Sequence, residues 1–321
     1  MKRLTIGKFV FLLLLVTPAY IDAGLRDIAA SNGFSYGCAA SMNDLQADPD
    51  FAQAVAQECG TLTPTVGLKM DSIAIAPNIY DFSQGDWLQA FADQRGQTMI
   101  GHTLVWYKKV PAFIQRYSQQ ELRDWLILYT SAVVSHFSKV RLWTVINEPL
   151  PEDGDQWYQD RLGSAWIDAA LQGAHQSCPS CELSVSDWGL EYKEKQGRFL
   201  AWLHPLLLRG VPITTVEIQG HLQSSFDDST GLASFCQQLR RLGLNVVVSE
   251  LDVADRSHVA SAYRHFLIGV LSGGVKQVTT WGLSDRYFNH ARLVADARPL
   301  PLNRNLHPKP AYNVLVKAFL R

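Results

Sequence analysis

Eight short apolar runs, separated by stretches of helical length, constrain this 321-residue chain more than any other feature. The runs fall at residues 35–40, 62–68, 98–104, 142–147, 183–186, 215–220, 245–251 and 277–281. Between them, residues 50–58, 119–137, 164–175, 196–209, 230–242 and 257–271 read as amphipathic helices. Near-continuous apolar runs such as Val246-Val247-Val248 suit strands buried on both faces, as in parallel sheets covered by helices. Parallel strands need long crossovers, and the helical stretches supply them. The pattern predicts an α/β fold, a single (β/α)8 TIM barrel. An open doubly wound sheet would want a glycine-rich phosphate loop after its first strand, and none is present.

The N-terminus reads differently from the rest. Lys2, Arg3 and Lys8 precede the apolar run 9–16, followed by Thr17-Pro18-Ala19 and Ile21-Asp22-Ala23. That layout predicts a secretory signal peptide over 1–23, leaving 24–321 as the barrel. The run is too short to span a bilayer, so no stable membrane insertion is expected once the leader is removed. The expected location is secreted or periplasmic. A net charge of −1 gives no long-range reason to expect a nucleic acid or an anionic membrane as partner. Five cysteines in an oxidising compartment leave at least one thiol free. Cys178 and Cys181 follow an apparent helix rather than opening one, so a local disulfide closing a turn fits better than a redox motif. No second pair has zinc-ligand spacing.

Function has to come from sites. Glu148 ends the run Leu142-Trp143-Thr144-Val145-Ile146-Asn147-Glu148, and Glu250 ends Asn245-Val246-Val247-Val248-Ser249-Glu250. The C-terminal ends of barrel strands form the functional rim, and hydrolysis of a glycosidic bond needs two carboxyl groups across one bond. Other residues with suitable chemistry cluster at the same ends: Gly101-His102-Thr103-Leu104-Val105-Trp106, Gln219-Gly220-His221 and Trp281-Gly282-Leu283-Ser284-Asp285. Residues two apart on a strand share a face, so Glu250 with Asp252, and Gln219 with His221, are placed to point into one mouth. A histidine beside Glu250, with Asp252 in reach, would orient that carboxylate and keep it ionised. Tryptophans at such a rim offer flat faces to pyranose rings. Taken singly, each of these residues also fits ordinary core packing or a strand-terminal surface acid.

These motifs, in this order from about Gly33 to Tyr312 and closing on Lys309-Pro310-Ala311-Tyr312, resemble glycoside hydrolase family 10, the endo-β-1,4-xylanase family. The resemblance implies a retaining endo-acting hydrolase of β-1,4-linked xylan-type polysaccharide. Glu148 matches the family's acid/base and Glu250 its nucleophile. Lys69, His102, Trp106, Asn147, Gln219, His221 and Trp281 match positions around the sugar at the cleavage point. No metal or organic cofactor is implied, the partner is a polysaccharide, and a monomer is expected. Retaining enzymes hold their carboxyls about 5–5.5 Å apart. At that separation, charge on Glu250 would favour a proton on Glu148 until the glycosyl ester forms.

Departures from the family concentrate at one place. Where the family carries Glu, Asn and Trp around the second strand end, this chain has Thr65, Val66 and Met70. Beside Trp106 the usual His and Gln become Tyr107 and Lys109, and no tryptophan matches around Tyr287-Phe288-Asn289. The pocket beyond the cleavage point is expected to be less polar; Lys109 reads as a solvated rim lysine or, alternatively, as a cation suited to an acidic substituent. A retaining hydrolase of another β-linked glycan, and a noncatalytic glycan-binding or inhibitor protein, are the alternatives.

Overall fold

The computed structural model describes residues 23–152, 154–253, 255, 257–288 and 297–321. Of the expected leader, residues 1–22 lie outside the described residues, as does Asn289. Strands and covering helices alternate along the chain: β1 (Ser35–Ala40), α1 (Pro49–Glu58), β2 (Thr61–Pro64), α2 (Ser83–Gln94), β3 (Thr98–Met99 and Gly101–Trp106), α3 (Gln119–His136), β4 (Leu142–Asn147), α4 (Ala165–Ser177), β5 (Glu182–Asp187), α5 (Lys193–Leu208), β6 (Thr215–Ile218, resumed at His221–Leu222), α6 (Ser229–Arg241), β7 (Asn245–Val253), α7 (Val259–Ser272), β8 (Gln277–Thr280) and α8 (Pro310–Phe319).

All inter-strand pairings of the main sheet are parallel, and β8 pairs with β1 as well as with β7. The two segments of β3 pair with β2 on one side and β4 on the other, so the chain itself closes the barrel through Ile100. Buried strand residues such as Leu62, Val145, Val185, Val216 and Val248 are fully covered, as expected when helices clothe every strand.

Local chemistry sets the helix starts. Asp48 accepts from the Phe51 amide and Pro49 opens α1. Ser118 and Glu121 form a capping box at the head of α3. Cys38 of β1 is bonded to Cys59 just after α1, and Cys178 to Cys181 across the turn that follows α4, which leaves Cys236 as a buried free thiol. Among the described residues, no helix is long and apolar enough to cross a membrane.

The structure departs from the sequence expectations at definite points. The run 62–68 is strand only to Pro64; Gly67 turns at φ +71°, and Leu68 enters the core from the loop. Its burial, rather than strand geometry, explains the apolar pattern. Helix α2 and the hairpin Ala74–Ala76/Ile79–Tyr80 before it were not legible in the periodicity. Gly85 interrupts the α2 pattern because a β-carbon there would stand 2.4 Å from the Phe137 ring.

Candidate active site

Glu148 is the first residue beyond β4. Its amide donates to the Ser186 carbonyl at 2.8 Å, continuing the pairing with β5, while its φ of +52° lies in the left-handed region. That conformation costs a non-glycine residue about 1–2 kcal/mol, and it turns the carboxylate into the mouth of the barrel. Trp106 Nε1 donates to Glu148 Oε2 at 3.0 Å, and Lys108 Nζ stands 3.6 Å from the same oxygen.

Glu250 sits in β7 where the register against β8 slips between Val248 and Leu251. Bulges of this kind re-aim side chains at barrel rims. Its amide donates to Gln219 O at 2.9 Å. Its Oε2 lies 3.2 Å from His221 Nε2, and His221 Nδ1 lies 2.9 Å from Asp252 Oδ1. Gly220, with φ +81°, makes this possible, because the left-handed step breaks β6 and swings His221 beside Asp252 on β7. Burial alone would discharge the imidazole, but Asp252 and Glu250 together outweigh it and hold His221 well above its ordinary pKa. The result is a chain of acid, cation and acid, with Glu250 at its open end.

The remaining residues singled out from the sequence gather around this pair. Lys69 is buried beside Trp106 and Trp281, with its Nζ 4.8 and 5.8 Å from their ring centres. Burial pulls its pKa down to about 8 against the opposing pull of Glu250 and Glu148. His102 is neutral for a matching reason: burial first, and then Lys69, push it well below the usual histidine range. Its Nε2 is 3.9 Å from Glu250 Oε1, beyond hydrogen-bond reach, and its ring meets Trp281 edge-on at 5.3 Å. Gln219 is fully buried and reaches the site indirectly, donating to Asn147 Oδ1 at 3.3 Å.

One cavity of about 500 Å³ collects Glu148, Glu250, Lys69, His102, Trp106, Asn147, His221 and Trp281. Its far end is walled by Ser41, Asp44, Phe51, Thr65, Val66, Tyr287 and Phe288. Of that far wall, the sequence pointed only to Thr65, Val66 and the Tyr287-Phe288 stretch. Ser41 and Asp44 follow β1 directly, so the rule that picked out the other strand ends would also have found them. Lys109 is paired with Asp71 at 3.1 Å on the partly exposed rim, which fits the rim reading rather than a cation for an acidic substituent, while Lys108 faces the cavity.

Sequence reasoning missed three further buried acids. Glu217 accepts from Thr144 at 2.8 Å and from Ser184, and burial raises its pKa to about 7. Asp187, paired with Lys195 at 2.7 Å, and Glu191 are likewise raised to about 7, chiefly by burial. Glu217 stands two residues before Gln219 on one strand, and that spacing was the available signal. Among the described residues, no group of three His, Cys, Asp or Glu side chains could hold a metal ion.

Known proteins resemble this chain both in sequence and in fold. The chain is 28% identical over 290 residues to endo-1,4-beta-xylanase 3 of Hypocrea jecorina, covering 88% of this chain and 81% of the relative. It is 30% identical over 287 residues to a beta-1,4-xylanase of Dictyoglomus thermophilum, covering 80% and 81%. In fold it resembles native xylanase 10B from Thermotoga maritima, with a TM-score of 0.86 at 24% identity over 93% of this chain and 98% of that one. The glycosyl hydrolase family 10 model matches residues 24–318, nearly everything beyond the expected leader, and the chain belongs to that family.

Proposed function

We propose that the protein is a retaining endo-1,4-β-xylanase in which Glu148 is the acid/base and Glu250 the nucleophile. The observation that carries these roles is the different company the two carboxylates keep within one cavity. Glu250 faces a protonated His221 backed by Asp252, a setting that anchors and aims its carboxylate. Glu148 accepts from the neutral Trp106 indole at 3.0 Å, and the nearest cation, Lys108, stands beyond hydrogen-bond reach at 3.6 Å. In the first step Glu148 gives its proton to the glycosidic oxygen while Glu250 attacks the anomeric carbon. The C–O bond to the leaving sugar breaks and a glycosyl ester forms on Glu250. In the second step Glu148 takes a proton from water, whose oxygen attacks the same carbon and releases Glu250 with the β configuration restored. In this reading Asn147, which accepts from Gln219, bonds the 2-hydroxyl of the reacting sugar.

The names of the relatives support xylan as the substrate. Export through the leader and action as a monomer belong to the same proposal. The second reading, another β-linked glycan, draws on the far wall of the cavity, where Val66 is 46% exposed and Thr65 supplies a single hydroxyl. Reducing-sugar release from a panel of xylans and β-glucans, with anomeric NMR of the first product, tests both. Release from xylan with initial β product is the expected result. Initial α product would refute the two-step mechanism, and turnover confined to a β-glucan would favour the second reading.

A further inference from the structure

The far wall of the cavity has one charged side chain, and the sugar-binding role proposed so far does not use it. Beyond Lys69 the wall consists of Thr65 and Val66 after β2, Ser41 and Asp44 after β1, and the aromatic rings of Phe51, Tyr287 and Phe288. Phe51 and Tyr287 pack at 4.6 Å, and Tyr287 is held by its hydroxyl, which donates to Asp48 at 2.9 Å. The recess therefore brings aromatic rings and polar side chains together in one lining. On the polar side the strong acceptor is Asp44. Its Oδ2 accepts from Ser41 Oγ at 2.7 Å, which fixes the side chain, and no described residue donates to its Oδ1. A pyranose ring has the matching chemistry: a face for the aromatics and equatorial hydroxyls that donate at its edge.

We propose that Asp44 is a specificity-determining residue for the glycone chain: its carboxylate accepts from hydroxyls of the sugar one unit beyond the ring held between Glu148 and Glu250. This rests on the proposed xylanase reading. It also explains how the cavity binds a chain although Thr65 and Val66 offer little. The acceptor comes from the loop after β1, adjacent in the barrel to the loop after β2. The competing view is that Asp44 only supports the short helix Met42–Ala47, whose N-cap is Ser41.

Two substrates separate these views. An aryl β-xyloside fills only the ring position at the cleavage point, whereas an aryl β-xylobioside also fills the next. In the intact protein kcat/KM for the xylobioside should exceed that for the xyloside. Asp44→Ala should lower that ratio by about 10-fold to 100-fold, the range for a hydrogen bond to a charged group, with Asp44→Asn intermediate. A fall in melting temperature with an unchanged ratio would identify a helix cap and overturn the proposal. So would an equal loss on both substrates. If the intact protein cleaves neither glycoside, nor xylan, the xylanase reading fails and this inference falls with it.

Discussion

Replacing His221 by Gln should destabilise the protein sharply, and a second substitution should restore part of the loss. His221 is the only cation in contact with Asp252 among the described residues, at 2.9 Å, and it also meets Glu250 at 3.2 Å. Asp252 is 1% and Glu250 5% exposed, so solvent cannot replace the imidazolium. Removing one partner of a buried ion pair costs about 3–5 kcal/mol, mainly because the other charge stays buried. At about 2–4 °C per kcal/mol for a chain of this size, the midpoint should fall by about 6–20 °C. Asp252→Asn added to His221→Gln removes the stranded charge and should recover about half of that loss. Both variants will lose activity, so stability is the quantity to follow, by urea unfolding at pH 7 with all four members of the cycle. The pH dependence has a defined sign. The folded pKa of His221 lies above its unfolded value, so its stabilisation is complete below about pH 6.5 and fades as pH rises through the folded value. A cost below about 1 kcal/mol for His221→Gln, or strict additivity with Asp252→Asn, would refute this account of the triad.

Further outcomes follow from other parts of the site. Glu148→Ala should spare formation of the glycosyl ester from a dinitrophenyl glycoside while slowing its release, and azide should accelerate turnover; equal loss in both steps with no azide effect would remove Glu148 from the acid/base role. Glu250→Gln should abolish hydrolysis while the protein still folds, because Asp252 keeps His221 paired, and near-parental turnover would sink the nucleophile assignment. Glu217 has its pKa raised to about 7, so its contribution is most favourable below about pH 4.5 and is lost as pH rises through 7. Glu217→Gln should therefore gain on the parent by up to about 3 kcal/mol between pH 5 and pH 8; a pH-independent difference would show that Glu217 does not titrate in the folded protein. Thr65→Glu with Val66→Asn should raise kcat/KM on linear xylo-oligosaccharides, and no gain would mean that Asp44 and the aromatic wall already saturate that end of the cavity.

The alternation of apolar runs with amphipathic stretches was sufficient to specify a closed parallel barrel, because parallel strands buried on both faces need continuous apolarity and a helical return. Seven of the eight strands lie within a few residues of the expected runs; the run 62–68 overshot because a buried loop residue such as Leu68 is as apolar as a strand residue. The rule that chemistry sits at strand ends also located Glu148, Glu250, His102, Trp106, His221 and Trp281, all of which line one cavity. What the sequence could not decide depends on distances between strands. The alternation rule put Gln219 and His221 on a common face, yet the left-handed Gly220 sends His221 to Glu250 and leaves Gln219 behind Asn147. Adjacent lysines look alike in one dimension, but only the folded loop gives Lys109 to Asp71 and turns Lys108 toward Glu148. Residue type and period are local properties, so they are written in the chain; pairing, burial and charge depend on which strands become neighbours, and that is settled only when the barrel closes.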